Sequence, residues 1–414
     1  MSNSAAQTYI CGMKSRSGSL PTLLAFALIP LSGFATDIYI PSLPGMATSL
    51  NVSELQVQMT LTLFLISYGV GQLFIGSLLD SFGRYRIGLV SLAIFTLASI
   101  AIANASNIYL IYVMRVVHGL TVAAIVVSKR AYFVDVFSGE KLKHYLSMFS
   151  IIWATAPIIA PFAGGYLQSF FGWEANFYFL AIFGGVILLL EIIFSGETIK
   201  ERMPFQMATI GRVYGKMFAD PSFILGISML GLSYGMLMIY NMTGPFIIEH
   251  GLGLTPVVSG YSSLFLGTAV LVGGLISKST INKPFHKKIW IVLAVQVFFG
   301  VAMLTSSIAT SGLYSMLIFA FVIHAASGYV FNSFFTYCLS RFPDNAGIAS
   351  GLTGGINYVI VSFFSYLIIS LIPAKDDVNL AYSYLILIAA AVLVMYALHL
   401  YQQRTREDNR KVLV

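Results

Sequence analysis

Asp37 stands in Ala35-Thr-Asp-Ile-Tyr-Ile-Pro-Ser-Leu-Pro44, inside an apolar run that reaches back to about Leu20. Arg115 stands in Met114-Arg-Val-Val-His-Gly-Leu120, inside a second such run. A charge at the centre of a hydrocarbon layer costs about 2.5 kcal/mol or more, so each must be used or paired. An acid offers a proton site. A buried arginine keeps its proton and needs an anion or a wet cavity. The acids within apolar runs are Asp37 and Glu191, and Glu191 reads as a snorkelling or interfacial charge near the end of its run. Asp37 is therefore the expected counterpart of Arg115, directly or through water. Proton occupancy of such an acid follows its burial and its distance from the arginine, so a conformational change can load or unload it.

His118 follows Arg115 by three residues and shares its helix face. It and His324 read as proton relays near neutral pH or, equally, as hydrogen-bonded packing residues. Further polar and aromatic groups interrupt apolar runs: Tyr39, Tyr68, Gln72, Tyr240, Asn241, Asn332, Asn357 and Tyr358. With His324 they are the candidates for a substrate cavity, which is typically apolar with a few placed polar groups. The alternative for each is an interhelical hydrogen bond or an aromatic side chain at the lipid interface.

The elements that must position these groups follow from composition. The chain is 57% hydrophobic and 9% charged over 414 residues, against about 25% charged in soluble chains. So few charges cannot cover a water-facing surface, so the chain reads as a multi-span membrane protein. The runs are about 20 residues long and do not alternate, which favours helices over a barrel. Twelve spans are expected at 20–43, 57–79, 87–105, 108–129, 145–167, 175–195, 222–246, 257–277, 287–307, 313–337, 347–372 and 380–401. With both ends on one side, only Arg115 and Lys375 of the 23 Lys and Arg residues fall outside the segments on that side. That asymmetry is the positive-inside pattern, and it explains the net charge of +7 without nucleic acid. It places both termini in the cytoplasm. Cys11 and Cys338 then lie in a reducing compartment where a disulfide is not expected, and no metal spacing of Cys or His occurs. The first 18 residues, with Lys14 and Arg16, read as a polar tail without a cleavable signal.

The polar stretch Ser195–Pro221, with Glu197, Lys200, Glu201, Arg202, Arg212, Lys216 and Asp220, divides the chain. The expected organisation is a six-helix bundle over 1–196, a linker over 197–221, and a second bundle with a short tail over 222–414. A faint repeat relates Gly76-Ser-Leu-Leu-Asp80 to Gly274-Leu-Ile-Ser-Lys278, an offset of 198 residues. In two-bundle transporters the substrate site lies at the midplane between repeats.

Span 2 ends in Gly76-Ser-Leu-Leu-Asp-Ser-Phe-Gly-Arg-Tyr-Arg86. Gly76 is expected to allow close helix approach, Asp80 to cap the turn, Gly83 to permit a tight loop, and Arg84 and Arg86 to anchor it. The simple reading is a basic hairpin. The sharper reading is a latch, with Asp80 held by an arginine or by a helix end of the other half and released in another state. In span 5, Pro157 and Pro161 each remove a backbone donor on one face, and Gly164 and Gly165 permit backbone contact. This face is expected to seal one side of a pathway.

These segments carry a family resemblance. Gly76–Arg86 resembles the loop signature of the major facilitator superfamily. Arg115-Val-Val-His-Gly119 is similar to that superfamily's Arg-x-x-(Gln or His)-Gly pattern. Ala156-Pro-Ile-Ile-Ala-Pro-Phe-Ala-Gly-Gly165 resembles its antiporter motif, with Ala156 where the pattern has glycine. Thr36–Pro44, Gly244-Pro-Phe246 and Arg341–Ser350 resemble the bicyclomycin-resistance (Bcr/CflA) group of drug–proton antiporters. The resemblance implies an all-α membrane protein with twelve transmembrane helices in two pseudo-symmetric bundles. It also implies neighbouring spans 1 and 4, Asp37 as proton carrier and alternating access. The expected partners are protons, a small amphipathic substrate and the lipid bilayer, in a monomer of the bacterial inner membrane without a cofactor. A dedicated carrier of one metabolite, such as a siderophore, and a non-transporting receptor or assembly factor are the alternatives. No Walker loop, His-Glu-x-x-His or Gly-x-Ser-x-Gly occurs, so no hydrolase or ATPase chemistry is expected. Gly251-Leu-Gly253 reads as a short loop.

Overall fold

The computed structural model describes residues 18–199, 207–342 and 346–412. Cys11, Lys14, Arg16, Lys200, Glu201, Arg202, Asp344 and Asn345 lie outside the described residues. The first span is α1 (Ser19–Leu28), α2 (Leu31–Asp37), a 3₁₀ turn (Ile40–Ser42) and α3 (Leu43–Leu50). Then follow α4 (Glu54–Phe82), α5 (Arg84–Ala103), α6 (Ile108–Val136), α7 (Gly139–Phe171) and α8 (Glu174–Phe194). A linker helix α9 (Met207–Phe218) precedes α10 (Pro221–Phe246), α11 (Pro256–Ser279), α12 (Phe285–Ala309), α13 (Leu313–Ser340), α14 (Ala346–Leu371) and α15 (Asp377–Val412). Among the described residues, 11 segments are long and apolar enough to cross a bilayer. The remaining expected span, 145–167, falls within α7, which is helical throughout.

The helix starts are written locally. Ser53 and Gln56 form a capping box at α4, Asn107 caps α6, and Asp220 caps α10 with Pro221 in its first turn. The first span departs from its expected limits. Pro41 and Pro44 do not end it; the chain makes one 3₁₀ turn and resumes as α3, with Pro44 in the first turn where no donor is needed. The polar linker carries α9, whose Tyr214 hydroxyl donates to the Leu73 carbonyl of α4 at 2.9 Å.

Two buried apolar clusters organise the bundle. One gathers Leu31, Tyr39, Phe64, Phe95 and Phe177, and the other Ile227, Leu266, Ile323, Phe334 and Tyr384. Helix α4 packs on α6 and α14, and α11 packs on α7 and α13. Glycines make the tight crossings. A Cβ on Gly164 would sit on the Ile38 carbonyl, and one on Gly165 would lie 2.6 Å from the Pro256 carbonyl oxygen. Gly76 differs from its expected role, since a Cβ there would meet nothing within 4 Å. Gly164→Val is expected to lower stability by about 1–3 kcal/mol, because backbone cannot yield. Gly76→Ala should stay within about 0.5 kcal/mol. Thermal unfolding of the detergent-purified variants checks both.

Candidate functional site

Arg115 is fully buried at 0% exposure. Its Nη1 donates to the Ala35 carbonyl at 2.9 Å, its Nη2 to the Tyr39 hydroxyl at 3.2 Å, and its Nε lies 3.4 Å from the Thr60 carbonyl. Its guanidinium lies 4.5 Å from the Tyr39 ring centre and 4.3 Å from that of Phe64. Tyr39 in turn meets the Thr60 hydroxyl at 3.1 Å. The reason is the broken first span: α2 stops at Asp37, and Arg115 serves the Ala35 carbonyl in its last turn. One planar cation thereby ties spans 1, 2 and 4 together, by charge-assisted bonds and ring stacking.

Asp37 is 1% exposed. Among the described residues it makes no ion pair with Arg115; the direct form of the expected pairing is replaced by the carbonyl and tyrosine partners above. The Asp37 carboxylate instead accepts from Asn241 Nδ2 of α10 at 3.4 Å, a contact from the other half of the chain. Glu191 is also not an interfacial charge. It is 1% exposed and pairs with Lys129 of α6 at 2.7 Å.

The histidines are both fully buried at 0% exposure. His118 meets the Ser99 hydroxyl at 3.0 Å and stacks on Phe95 at 4.6 Å. His324 meets the Tyr384 hydroxyl at 2.9 Å, with its ring edge-on to Tyr240 at 5.8 Å. Neither lines the main cavity, so the geometry matches their packing reading.

That cavity holds about 1030 Å³. Its inner end is formed by Tyr234, Tyr240, Asn241, Phe331, Asn357 and Tyr358, and it extends past Asn332 to Lys278 and Lys288. From the first half it takes Thr155, Pro157 and Ile158. Five expected residues therefore line it: Tyr240, Asn241, Asn332, Asn357 and Tyr358. Tyr39, Tyr68, Gln72 and His324 do not. Tyr39 is engaged by Arg115. Tyr68 stands behind the wall, edge-on to Tyr358 at 4.9 Å, and Tyr358 is edge-on to Tyr234 at 5.9 Å. Gln72 faces α14, where a Cβ on Gly354 would lie 3.0 Å from its Oε1.

The two ends of the bundle differ. At the end opposite the basic segments, the halves are joined. Gln58 Nε2 donates to the Met242 carbonyl at 2.7 Å, and Glu54 meets His250 at 3.2 Å. Pro161 and Phe162 press on α11 near Gly260, as Gly165 does at Pro256. At the basic end the cavity opens, and Arg130 reaches Ser350 across the halves at 3.4 Å.

The hairpin after α4 closes on its own half. Arg84 pairs with Asp80 at 2.9 Å and with Asp135. The cap at the start of α5 is Glu197, which accepts from the Arg84 and Tyr85 amides at 3.2 and 3.3 Å; Asp80 does not take that role. Gly83 has φ 103, a backbone state open to glycine, and Arg86 is exposed.

In the second half Arg341 bonds Asp220 at 2.7 Å. Burial raises the Asp220 carboxyl, but hydrogen bonds from Ser222 and Arg341 outweigh it and hold its pKa below the usual carboxylate value. A depressed carboxyl stabilises the fold above its unfolded pKa, and that contribution is lost as pH falls through the folded value. Asp220→Asn keeps the cap and is expected to cost under about 1 kcal/mol at neutral pH, since the pair is partly exposed. The difference should shrink as pH falls through the depressed carboxyl value, where the wild-type side chain also loses its charge; paired thermal melts at neutral and acidic pH read it.

A profile of the Major Facilitator Superfamily matches residues 25–366. The chain belongs to the Major Facilitator Superfamily. Among relatives of this superfamily, an uncharacterized MFS-type transporter, YdgK, of Bacillus subtilis is 31% identical over 80% of this chain and 84% of its own length. A bicyclomycin resistance protein homolog of Haemophilus influenzae is 27% identical over 84% and 88%. A crystal structure of a D-xylose–proton symporter superposes with a TM-score of 0.67 at 15% identity, covering 91% and 97%; this likeness concerns the fold. The chain is thus a major facilitator transporter and not an enzyme.

Several participants have no place in the motif reading. Gln58 and Tyr234 are polar interruptions of apolar runs, as legible as Gln72. Asp135 and Glu197 look like ordinary loop charges, and only the fold brings them to Arg84.

Proposed function

We infer that this protein is a proton-coupled exporter of amphipathic drugs or metabolites, working by alternating access as an antiporter. The observation that carries this is the placement of Asp37. It is the acid buried beside a fully buried arginine, and it touches Asn241, which lines a cavity large enough for a drug-sized molecule. The aromatic inner wall suits an amphipathic cargo.

The basic end is taken as cytoplasmic, by the positive-inside rule, in a bacterial inner membrane. The geometry is then an inward-facing one, open to the cytoplasm and closed outside. The relative named for bicyclomycin resistance supports export. Asp37 carries the proton, and Arg115 sets the field it feels. Asp80, Gly83 and Arg84 form the cytoplasmic latch, here released from the second half. Pro157, Pro161, Gly164 and Gly165 form the outer seal.

Susceptibility panels with expressed protein, followed by uptake into proteoliposomes under an imposed pH gradient, test this. Protection against several unrelated compounds and gradient-driven uptake of them are expected. Protection against one compound alone would point to a dedicated carrier.

A further inference from the structure

Asp37 and Asn241 lie in similarly spaced segments of the first long span of each half. Asp37-Ile-Tyr-Ile-Pro41 and Asn241-Met-Thr-Gly-Pro245 share their spacing at an offset of 204 residues. Each segment leads to a departure from the α-helix: the first runs into the 3₁₀ turn Ile40–Ser42, and the second stops just before the π turn Ile247–Gly251. The two side chains meet between the halves at 3.4 Å, both buried. One of the pair titrates and its counterpart cannot, so the junction holds one proton site with one permanent donor facing it.

We propose that the Asn241–Asp37 contact is the lock that prevents the empty, unprotonated carrier from changing its facing. This rests on the antiport reading above. Antiport requires that the carrier reorient with a proton or with substrate, and stay put with neither. The geometry supplies both keys. The contact seen at 3.4 Å is longer than a charge-assisted bond; an ionised Asp37 draws Asn241 into that shorter, stronger bond, which holds α10 to the first span and keeps the outer end shut. A proton on Asp37 neutralises the acceptor and weakens that bond. A substrate reaches Asn241 directly, because Asn241 lines the cavity and Asp37 does not, and draws the amide away. Gln58, bonded to the Met242 carbonyl next in the chain, aligns α10 for the contact in either case.

The other groups coupled electrostatically to Asp37 are Arg115 on α6, Tyr39 in the first span, Tyr234 on α10 and Tyr358 on α14. Arg115 and Tyr39 belong to the first half and stay with Asp37. The tyrosines of α10 and α14 offer no charge near neutral pH. Asn241 is therefore the contact that reports the state of Asp37 to the second half.

The test needs no substrate. Proteoliposomes loaded with pyranine, under an imposed pH gradient with valinomycin and potassium, report proton entry. Wild type should be tight, because a carrier that has delivered its proton cannot return empty. Asn241→Ala should leak protons about tenfold faster, the factor that corresponds to losing one charge-assisted hydrogen bond. Asn241→Leu, which keeps the volume, should leak likewise, and monodisperse elution of either variant shows that it is folded. Asp37→Asn/Asn241→Ala should be tight again, since no proton is carried. Folded Asn241 variants as tight as wild type would overturn the lock while leaving Asp37 as proton carrier intact. An equal leak with Asp37→Asn present would overturn both.

Discussion

Arg115→Leu is expected to cost about 3–5 kcal/mol of stability, the range for removing one partner of a buried charged network. The substitution fills similar space, so packing alone does not explain the loss. It takes the Arg115 donor from the fully buried Ala35 carbonyl and leaves the Tyr39 hydroxyl with Thr60 alone, and an orphaned buried group costs about 1–3 kcal/mol. It also removes the ring contacts with Tyr39 and Phe64. Arg115→Lys should recover little. A single ammonium cannot present a planar fork to the Ala35 carbonyl and the Tyr39 hydroxyl while stacking between two rings. Thermal unfolding of purified protein and the yield of folded protein in membranes both read the effect. A variant that unfolds within a degree or two of wild type would mean that the network is ornamental.

Asp37→Asn is expected to leave a folded protein that exchanges substrate but no longer concentrates it. Asparagine matches the shape of the acid and keeps an oxygen for Asn241. Coupling is what it removes. One proton moving down a gradient of one pH unit supplies about 1.36 kcal/mol, or about a tenfold accumulation. Asp37→Asn should bring the ratio of inside to outside concentration to one while equilibrium exchange persists. Persistence of exchange separates this outcome from misfolding.

The parts of this protein legible in its sequence are those governed by local physics. Apolar runs specified the order of the spans and most of their starts, because hydrocarbon thickness sets their length, while the first span, α6 and α15 run on past their expected ends. The cost of burying charge singled out Asp37 and Arg115. The superfamily resemblance of the loop after α4 and of the Arg115 segment agrees with the family profile over residues 25–366. Illegible were the partners. Arg115 and Asp37 looked like a pair because opposite charges attract, yet the broken helix offered the arginine a carbonyl and a hydroxyl closer than the acid. Asp80 looked like a cap, yet Glu197, far along the chain, took the amides of Arg84 and Tyr85. The expected end of the first span at residue 43 fails, because Pro44 stands in the first turn of α3, where proline continues a span as readily as it stops one. Each case was decided by which groups tertiary packing brought within reach.

The measurement that bears most directly on the account is proton movement evoked by substrate. Proteoliposomes containing pyranine, with no gradient imposed, receive a compound identified by the susceptibility panel. For wild type, protons should move opposite to the compound, and for Asp37→Asn the dye signal should stay flat while the compound still equilibrates. Equal proton movement with both proteins would contradict Asp37 as the carrier of the coupled proton.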